Sequence, residues 1–559
     1  MKRKFLTIVP VLLLHFCLLA QTSTDVPKGW HLMDKEKDGY YGISLNKAYD
    51  FIHSKNLKSK PVLVAVIDSG IDTAHEDLKE ILWTNTGEIP GNGVDDDKNG
   101  YIDDVHGWNF VGGRDGRNVK DNSSEAVRLY YMYKNKFQSL QDSTSLSKDE
   151  LELFEMWKQA KENVGVVDPK ETYNLMLIRR AFNDAFAGDS ILKSAMNVKD
   201  YDGTQVKDFK PVDIASKKAR ESVLRLYFGL DIEMDKSATE LFSELGEELE
   251  SEERKNEAKQ KPPKDHRAEI VKDNYDDFND RFYGNGDVMA NTPMHGTHVS
   301  GIIGAVRGNN KGIDGVADNV KIMLVRAIPD GDEYDKDVAL SIRYAVDNGA
   351  QIINMSFGKY LSPQKQWVDD AVKYAESKGV LLVAAAGNEK KYVDSLPHYP
   401  NPYLKNDKLK VNNWITVGAS GDPKSGGLVA SFSNYGKKDV DVFAPGVKIY
   451  SSVPGGTTYS SNSGTSMASP VVAGLAALIL EYFPTLSPGQ IKYAIEKSVT
   501  KPDIKVKDPG TGETVELSDI SASGGIVNAY EAVKLASTLK GEREVQVKTK
   551  STIRQKTKE

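Results

Sequence analysis

Six short apolar runs set the terms for this chain. Residues 61–67 (PVLVAVI) form the first, and similar runs recur at 320–328, 351–357, 380–386, 414–419 and 440–444. Runs of this length, rich in Val and Ile, read as strands buried on both faces. Stretches with helical spacing lie between several of them, at 297–306, 335–348, 364–378 and 466–482. Strands alternating with helices predict an α/β fold: a doubly wound, mostly parallel sheet flanked by helices. Functional residues of such sheets collect beyond the carboxyl ends of the strands. With 559 residues, 39% of them hydrophobic and 27% charged, the chain has ample material for a large soluble core.

Residues 111–285 break the pattern. They are rich in charge and in helix start signals: Ser147 to Glu150, Asp168-Pro169 to Glu171, and Ser237 to Glu240. Leu151, Phe154 and Trp157 recur at helical spacing and are expected to face a core. Residues 247–267 are almost wholly polar and read as a solvated helix followed by a Pro-Pro linker. The segment 111–285 is therefore expected to be a mainly helical insertion.

The amino terminus carries Lys2-Arg3-Lys4, an apolar stretch over 5–20 and Ala20 before Gln21, the pattern of a secretory signal peptide. A membrane anchor is the competing reading, but the stretch falls short of the ~20 residues that span a bilayer. The single cysteine, Cys17, lies in this segment, which excludes internal disulfides and cysteine-based zinc sites. The net charge of −7 gives no basis for nucleic-acid binding. The expected order is a signal peptide at 1–20, a catalytic-domain portion at 21–110, the insertion at 111–285, the rest of that domain at 286–540 and a polar tail at 541–559. The expected location is extracytoplasmic, periplasmic or secreted, with no membrane span after signal cleavage. The oligomeric state is left open.

Four segments carry chemistry. VIDSGID (66–72) puts Asp68 at a strand end, and HGTHVSG (295–301) opens a helix with His295. VAAAGNE (383–389) puts Asn388 at another strand end, and GTSMASP (464–470) starts an apolar helix near Ser466. A serine hydroxyl is a weak nucleophile until a histidine takes its proton, and a buried carboxylate fixes that histidine's tautomer. A serine at a helix N-terminus adds its own N–H and the positive end of the helix dipole to an oxyanion. Asn388 offers a second donor.

Together these segments resemble the subtilisin family of serine endopeptidases, the subtilases. DSGID, HGTHVSG and GTSMASP match the family's Asp, His and Ser segments. NMSFG (354–358), AAAGNE (384–389), ASFSNYG (430–436) and FAPGVKIYSSVPGG (443–456) match its supporting stretches. The resemblance covers 40–110 and 285–535 and implies a subtilisin-like fold. It implies Asp68 as the orienting carboxylate, His295 as general base and acid, Ser466 as nucleophile, and Asn388 with the Ser466 N–H as the oxyanion hole. Ser356, Phe357, Gly358 and Gly387 are implied to line the substrate cleft and to pair with an extended protein or peptide substrate. His298, the competing base, is expected to face the core. Two departures stand out. Asp68 and His295 are 227 residues apart, chiefly because of the insertion, and Val471 replaces the histidine that usually follows the Ser-segment proline. The stretch 29–52 looks like the start of a mature enzyme, so a standard prodomain is expected to be absent, and the insertion is expected to aid folding or gate the cleft. Leader-peptide processing or transpeptidation by the same triad is one alternative, and a non-catalytic binding protein on this scaffold is another.

A second site is expected in DDDKNGYIDD (95–104). Asp95, Asp97, Asn99, the Tyr101 carbonyl and Asp103 take positions 1, 3, 5, 7 and 9 of an EF-hand-like calcium loop. The glutamate of position 12 is missing, with Asp104 as a possible substitute, and an Asp/Asn-rich surface turn is the alternative.

Overall fold

The computed structural model describes residues 26–140, 142–230, 232, 234–405 and 410–543. The expected signal peptide lies outside the described residues, as does most of the expected tail. Arg543, at the tail's start, bonds the Leu486 carbonyl at 3.1 Å and the Gly379 carbonyl at 2.7 Å.

Two compact units emerge. The first spans 121–266 together with 330–332, narrower than the expected insertion. The flanks belong elsewhere: Val111, Val119, Val271 and Tyr283 are buried in the same cluster as Trp108 and Phe110. The helices of this unit are α3 (Glu125–Phe137), α4 (Lys148–Val164), α5 (Pro169–Met196), α6 (Gly203–Asp208), α7 (Ile214–Gly229) and α8 (Ala238–Ala258). The full capping box forms at Ser147–Glu150, while Asp168 and Ser237 each cap with the side chain alone. Trp157 is buried where α4 packs on α3, whereas Leu151 is exposed; the first turn of α4 reaches α3 through the Lys136–Glu150 ion pair at 2.8 Å. The polar stretch 247–267 is more anchored than its composition implies. Leu249 and Ala258 of α8 are buried, as is Arg267 beyond the Pro-Pro pair.

The second unit holds the sheet. Its strands are β1 (Val62–Asp68), β2 (Gly107–Asn109), β3 (Val320–Arg326), β4 (Ile352–Met355), β5 (Leu381–Ala385), β6 (Trp414–Ser420) and β7 (Val442–Pro445). All pair in parallel, in the order β2-β3-β1-β4-β5-β6-β7. The helices of this unit are α1 (Lys35–Asp38), α2 (Leu45–Ser54), α9 (Met294–Gly304), α10 (Asp335–Asp347), α11 (Lys365–Ser377), α12 (Thr465–Tyr482), α13 (Pro488–Lys497) and α14 (Ala529–Ala536). Strand alternation explains the apolar runs. Val62, Val64 and Val66 join the cluster under α2, α9, α12, α13 and α14, while Ala65 and Ile67 join the one under α10 and α11. The fold is thus the doubly wound α/β architecture read from the sequence. A hairpin of β8 (Ile449–Val453) and β9 (Thr458–Asn462) stands outside the sheet. Helix α12 is long and apolar enough to cross a membrane, but 89% of it is buried as the core helix.

The chain leaves β1 for β3 on one side and returns to lay β4 on the other. The carboxyl ends of β1 and β4 therefore flank a topological switch point.

Candidate active site

Asp68 is the last residue of β1 and is 3% exposed. Its Oδ1 lies 2.8 Å from His295 Nδ1 and accepts the Ser69 N–H, also at 2.8 Å. Its Oδ2 is buried and has no partner among the described residues, so the charge is not spent elsewhere. His295 sits in the first turn of α9. That helix reaches the strand end because Gly296 has no side chain: a Cβ there would collide with the Gly70 carbonyl. Partial burial pulls the imidazole's pKa down, but the charge and hydrogen bond of Asp68 outweigh it and hold the pKa above the usual 6.5.

Arg326 fixes this pair, and sequence reasoning missed it. It ends β3 in register with Asp68. Its guanidinium is 1% exposed and donates to the Ser69 and Val119 carbonyls and to Asn109, Asn291 and Thr292. Ser69 and Thr292 also bond each other's carbonyls, at 2.7 and 2.9 Å. The segments carrying Asp68 and His295 are thereby clamped together. Burial lowers the Arg326 pKa to about 10, which leaves it charged at neutral pH. A lone arginine closing an apolar strand was the available signal.

Ser466 lies in the first turn of α12. Pro470, four residues on, has no N–H, so the Ser466 carbonyl lacks its helical donor. Ser356 Oγ supplies one at 3.0 Å. Asn354 Nδ2 holds that hydroxyl at 2.9 Å and Ser469 Oγ holds Asn354 at 2.9 Å, all three residues being buried. Ser466 Oγ donates to the Ser356 carbonyl at 3.0 Å, rather than to His295. Transfer to a base requires the hydroxyl to leave that carbonyl, and such catalytic bonds commonly align only with substrate present.

Asn388 follows β5 and is exposed. Its Oδ1 accepts from Thr465 N and Oγ1, each at 2.9 Å, which turns Nδ2 outward. A Cβ on Gly464 would sit 3.6 Å from both Asn388 Nδ2 and the Ser466 amide nitrogen, so two donors frame one point.

The other expected residues take different parts. Phe357 and Gly358 run on from β4 outside every strand pairing among the described residues, and Phe357 packs partly into the core. Gly387 donates to Thr465 Oγ1 and accepts from Asn434 N, so its backbone is already engaged. His298 is fully buried near the Ser460 carbonyl, with its pKa lowered by desolvation to about 3.

In the acidic loop, one carboxylate oxygen each from Glu88, Asp95 and Asp97 lies within 4.8 Å of the others. Asp103, expected in the set, points away and accepts from the amides of Gly91, Asn92 and Gly93. Asn99 spends its amide oxygen on the Tyr101 N–H. Both oxygens of Asp104 are taken by Tyr344, Asn85 and Asn99, and burial raises its pKa to about 6. Glu88, which lies before the loop, was missed.

A carboxylate–imidazole pair beside a helix-start serine and two converging donors is what acyl transfer through serine requires. Comparison with known proteins names the class: the chain belongs to the subtilase family of serine endopeptidases, whose sequence model matches residues 59–517. It is 40% identical over 240 residues to the thermophilic serine proteinase of Bacillus sp. (strain AK1), covering 43% of this chain and 52% of that one. It is 38% identical over 273 residues to thermitase of Thermoactinomyces vulgaris (47% and 85%), and 40% over 210 residues to subtilisin DY of Bacillus licheniformis (37% and 70%). The matched region thus spans about half of the first relative and most of the second.

Proposed function

We propose that this chain is an extracytoplasmic serine endopeptidase that hydrolyses peptide bonds through an acyl-enzyme. Ser466 Oγ attacks the scissile carbonyl while His295 Nε2 takes its proton. His295 then returns the proton to the leaving amine. Water deacylates the enzyme by the same route. Asp68 holds Nδ1–H, which leaves Nε2 as the free base nitrogen, and stabilises the imidazolium. The oxyanion forms between Asn388 Nδ2 and the Ser466 N–H. An extended substrate lies along 356–358. The observation that carries this reading is the 2.8 Å His295–Asp68 bond at the sheet's switch point.

The test is fluorophosphonate labelling of the full chain beside Ser466→Ala. Labelling of the wild type that vanishes in the variant supports the proposal. A folded wild type that does not label overturns it. Asn388→Ala is expected to lower kcat about 10²–10³-fold with KM little changed, a range taken from the same substitution in a subtilisin. Steady-state kinetics on a peptide substrate checks this.

Glu88, Asp95 and Asp97 are proposed to hold a structural calcium ion. Their oxygens accept from neutral backbone and side-chain amides, among them the N–H groups of Asp96, Asn99 and Gly100 and Asn85 Nδ2. Among the described residues none of the three carries an ion pair, so three uncompensated charges within 4.8 Å favour a hard cation with oxygen ligands. Excess chelator is expected to lower the Tm, by loss of about 2.7 kcal/mol if calcium stood at 100 times its Kd. An unchanged melting curve counts against the ion.

The helical unit is proposed to aid folding or gate the cleft. Deleting 121–266, rather than 111–285, spares Val271 and Tyr283 of the catalytic core. The deletion is expected to change secretion yield or peptide cleavage, and normal values for both would sink the idea.

A further inference from the structure

β4 and β5 are neighbours, and the chain leaves them through 356–358 and 386–389, the second segment turning at Gly387 (φ 100°) and bending at 388–389. With the scissile carbonyl between Ser466 Oγ and Asn388, and the substrate along 356–358, the acyl-side residue must turn its side chain into the gap between Gly358 and Gly387. Two glycines opposite each other make that gap wide. His398 fills it. A Cβ on Gly358 would collide with His398 Cε1 and stand 2.6 Å from its Nε2, and a Cβ on Gly387 would stand 3.2 Å from the same nitrogen. One imidazole therefore touches both walls.

The ring is held from behind. Lys359 and Tyr399 exchange two backbone hydrogen bonds, at 2.8 and 2.7 Å, which fix the segment of His398 beside that of Gly358. The imidazole packs on Tyr360 with centroids 5.2 Å apart and planes at 66°. Tyr360 donates its hydroxyl to Glu389 Oε2 at 2.6 Å, and Asn434 Nδ2 reaches that oxygen at 2.9 Å and the Tyr360 hydroxyl at 3.0 Å. Burial lowers the His398 pKa from its usual 6.5 against the pull of the Glu389 charge, so the ring is neutral at neutral pH.

We propose that His398, backed by Tyr360 and Glu389, sets the specificity of this site and restricts the acyl-side residue of the cleaved bond to glycine, alanine or serine. This rests on the peptidase reading above. A phenylalanine or leucine side chain needs the volume that the imidazole occupies, and close-packed interiors do not admit both. Glu389 Oε2 already accepts from Tyr360 and Asn434, which ties the carboxylate to the backing of the ring and weakens its pull on a lysine or arginine side chain.

The experiment is kcat/KM of the full chain on Ala-Ala-Pro-X chromogenic peptides with X as Ala, Phe or Lys, repeated with His398→Ala and His398→Gly. A pocket misfit of this kind discriminates about 10- to 200-fold. The wild type is expected to prefer Ala over Phe by about 30-fold or more, and the Phe/Ala ratio is expected to rise by a similar factor in both variants. Comparable wild-type rates on Ala and Phe, a preference for Lys, or an unchanged ratio in labelled variants overturns the proposal. Fluorophosphonate labelling of Ser466 runs beside each assay and separates the two ideas. A wild type that neither labels nor cleaves any peptide defeats the peptidase reading. A labelled wild type without the Ala preference defeats only the role of His398. If neither variant labels, the wild-type ratio decides.

Discussion

Ser466→Ala, His295→Ala and the double variant are each expected to lose about 10⁶-fold in kcat, and by nearly the same amount, a scale set by the equivalent residues of a subtilisin. The reason is mechanical. Without the imidazole the hydroxyl has no acceptor for its proton, and without the hydroxyl the imidazole has no nucleophile to activate. Either loss removes the whole covalent route, so the second costs nothing more. What remains is binding and the oxyanion donors, worth about 10³–10⁴ over water. Steady-state kinetics on one peptide substrate, with folding confirmed by circular dichroism, checks the equality. Costs that multiplied in the double variant would mean that the two side chains act separately and that another group serves as base. His298 is a poor candidate for that role, being fully buried and bonded to the Ser460 carbonyl.

Much of this geometry was legible in the sequence, for reasons that particular residues make plain. A strand buried on both faces must be apolar at every position, so PVLVAVI announces β1 and predicts that Asp68 emerges at its end. The three residues of β2, GWN, carry no such run, and β9, TYSSN, is half exposed outside the sheet. Neither gave a signal. Isolated apolar residues and apolar pairs between polar stretches were equally silent, which is why Val111, Val119, Val271 and Tyr283 were read with the insertion although they belong to the core cluster of the sheet. Short motifs gave Asp68, His295, Asn388 and Ser466, since each must occupy a strand end or helix start to act. The parts that hold those residues in place were hidden. Arg326 is remote in sequence from the Ser69 and Val119 carbonyls it bonds, and Glu88 lies just outside the 95–104 run that marks the acidic loop. His398 stands some forty residues from Gly358 and acts only through the fold. Ser356 is the instructive middle case. Its role follows from Pro470, whose missing N–H leaves a predictable carbonyl in need of a donor, yet nothing in the chain alone says which hydroxyl supplies it.

The second large effect is expected from Asp68→Asn: a loss of about 10⁴-fold in kcat, the scale found when the triad aspartate of a trypsin-type protease is so replaced, with a displaced pH profile. The amide occupies the space of the carboxylate but brings no charge and can present its NH₂ to His295 Nδ1. That contact favours the tautomer with the proton on Nε2, where the base lone pair is needed. In the wild type, burial alone would lower the His295 pKa, and Asp68 reverses the sign. His295 is therefore protonated, and inactive as a base, up to a pH above 6.5, and kcat/KM is expected to rise through that point. Removing the carboxylate leaves only the burial effect, so the acid limb of the residual activity is expected to move to lower pH. The same coupling enters stability. A histidine whose pKa is raised on folding stabilises fully below its unfolded value of about 6.5, and that contribution fades as pH rises through the folded value. The Tm difference between wild type and Asp68→Asn is therefore expected to be larger at pH 5.5 than at pH 9. A pH–rate profile and two melting curves check both signs. An acid limb that stays in place in the variant would mean that some group other than Asp68 controls the proton on His295.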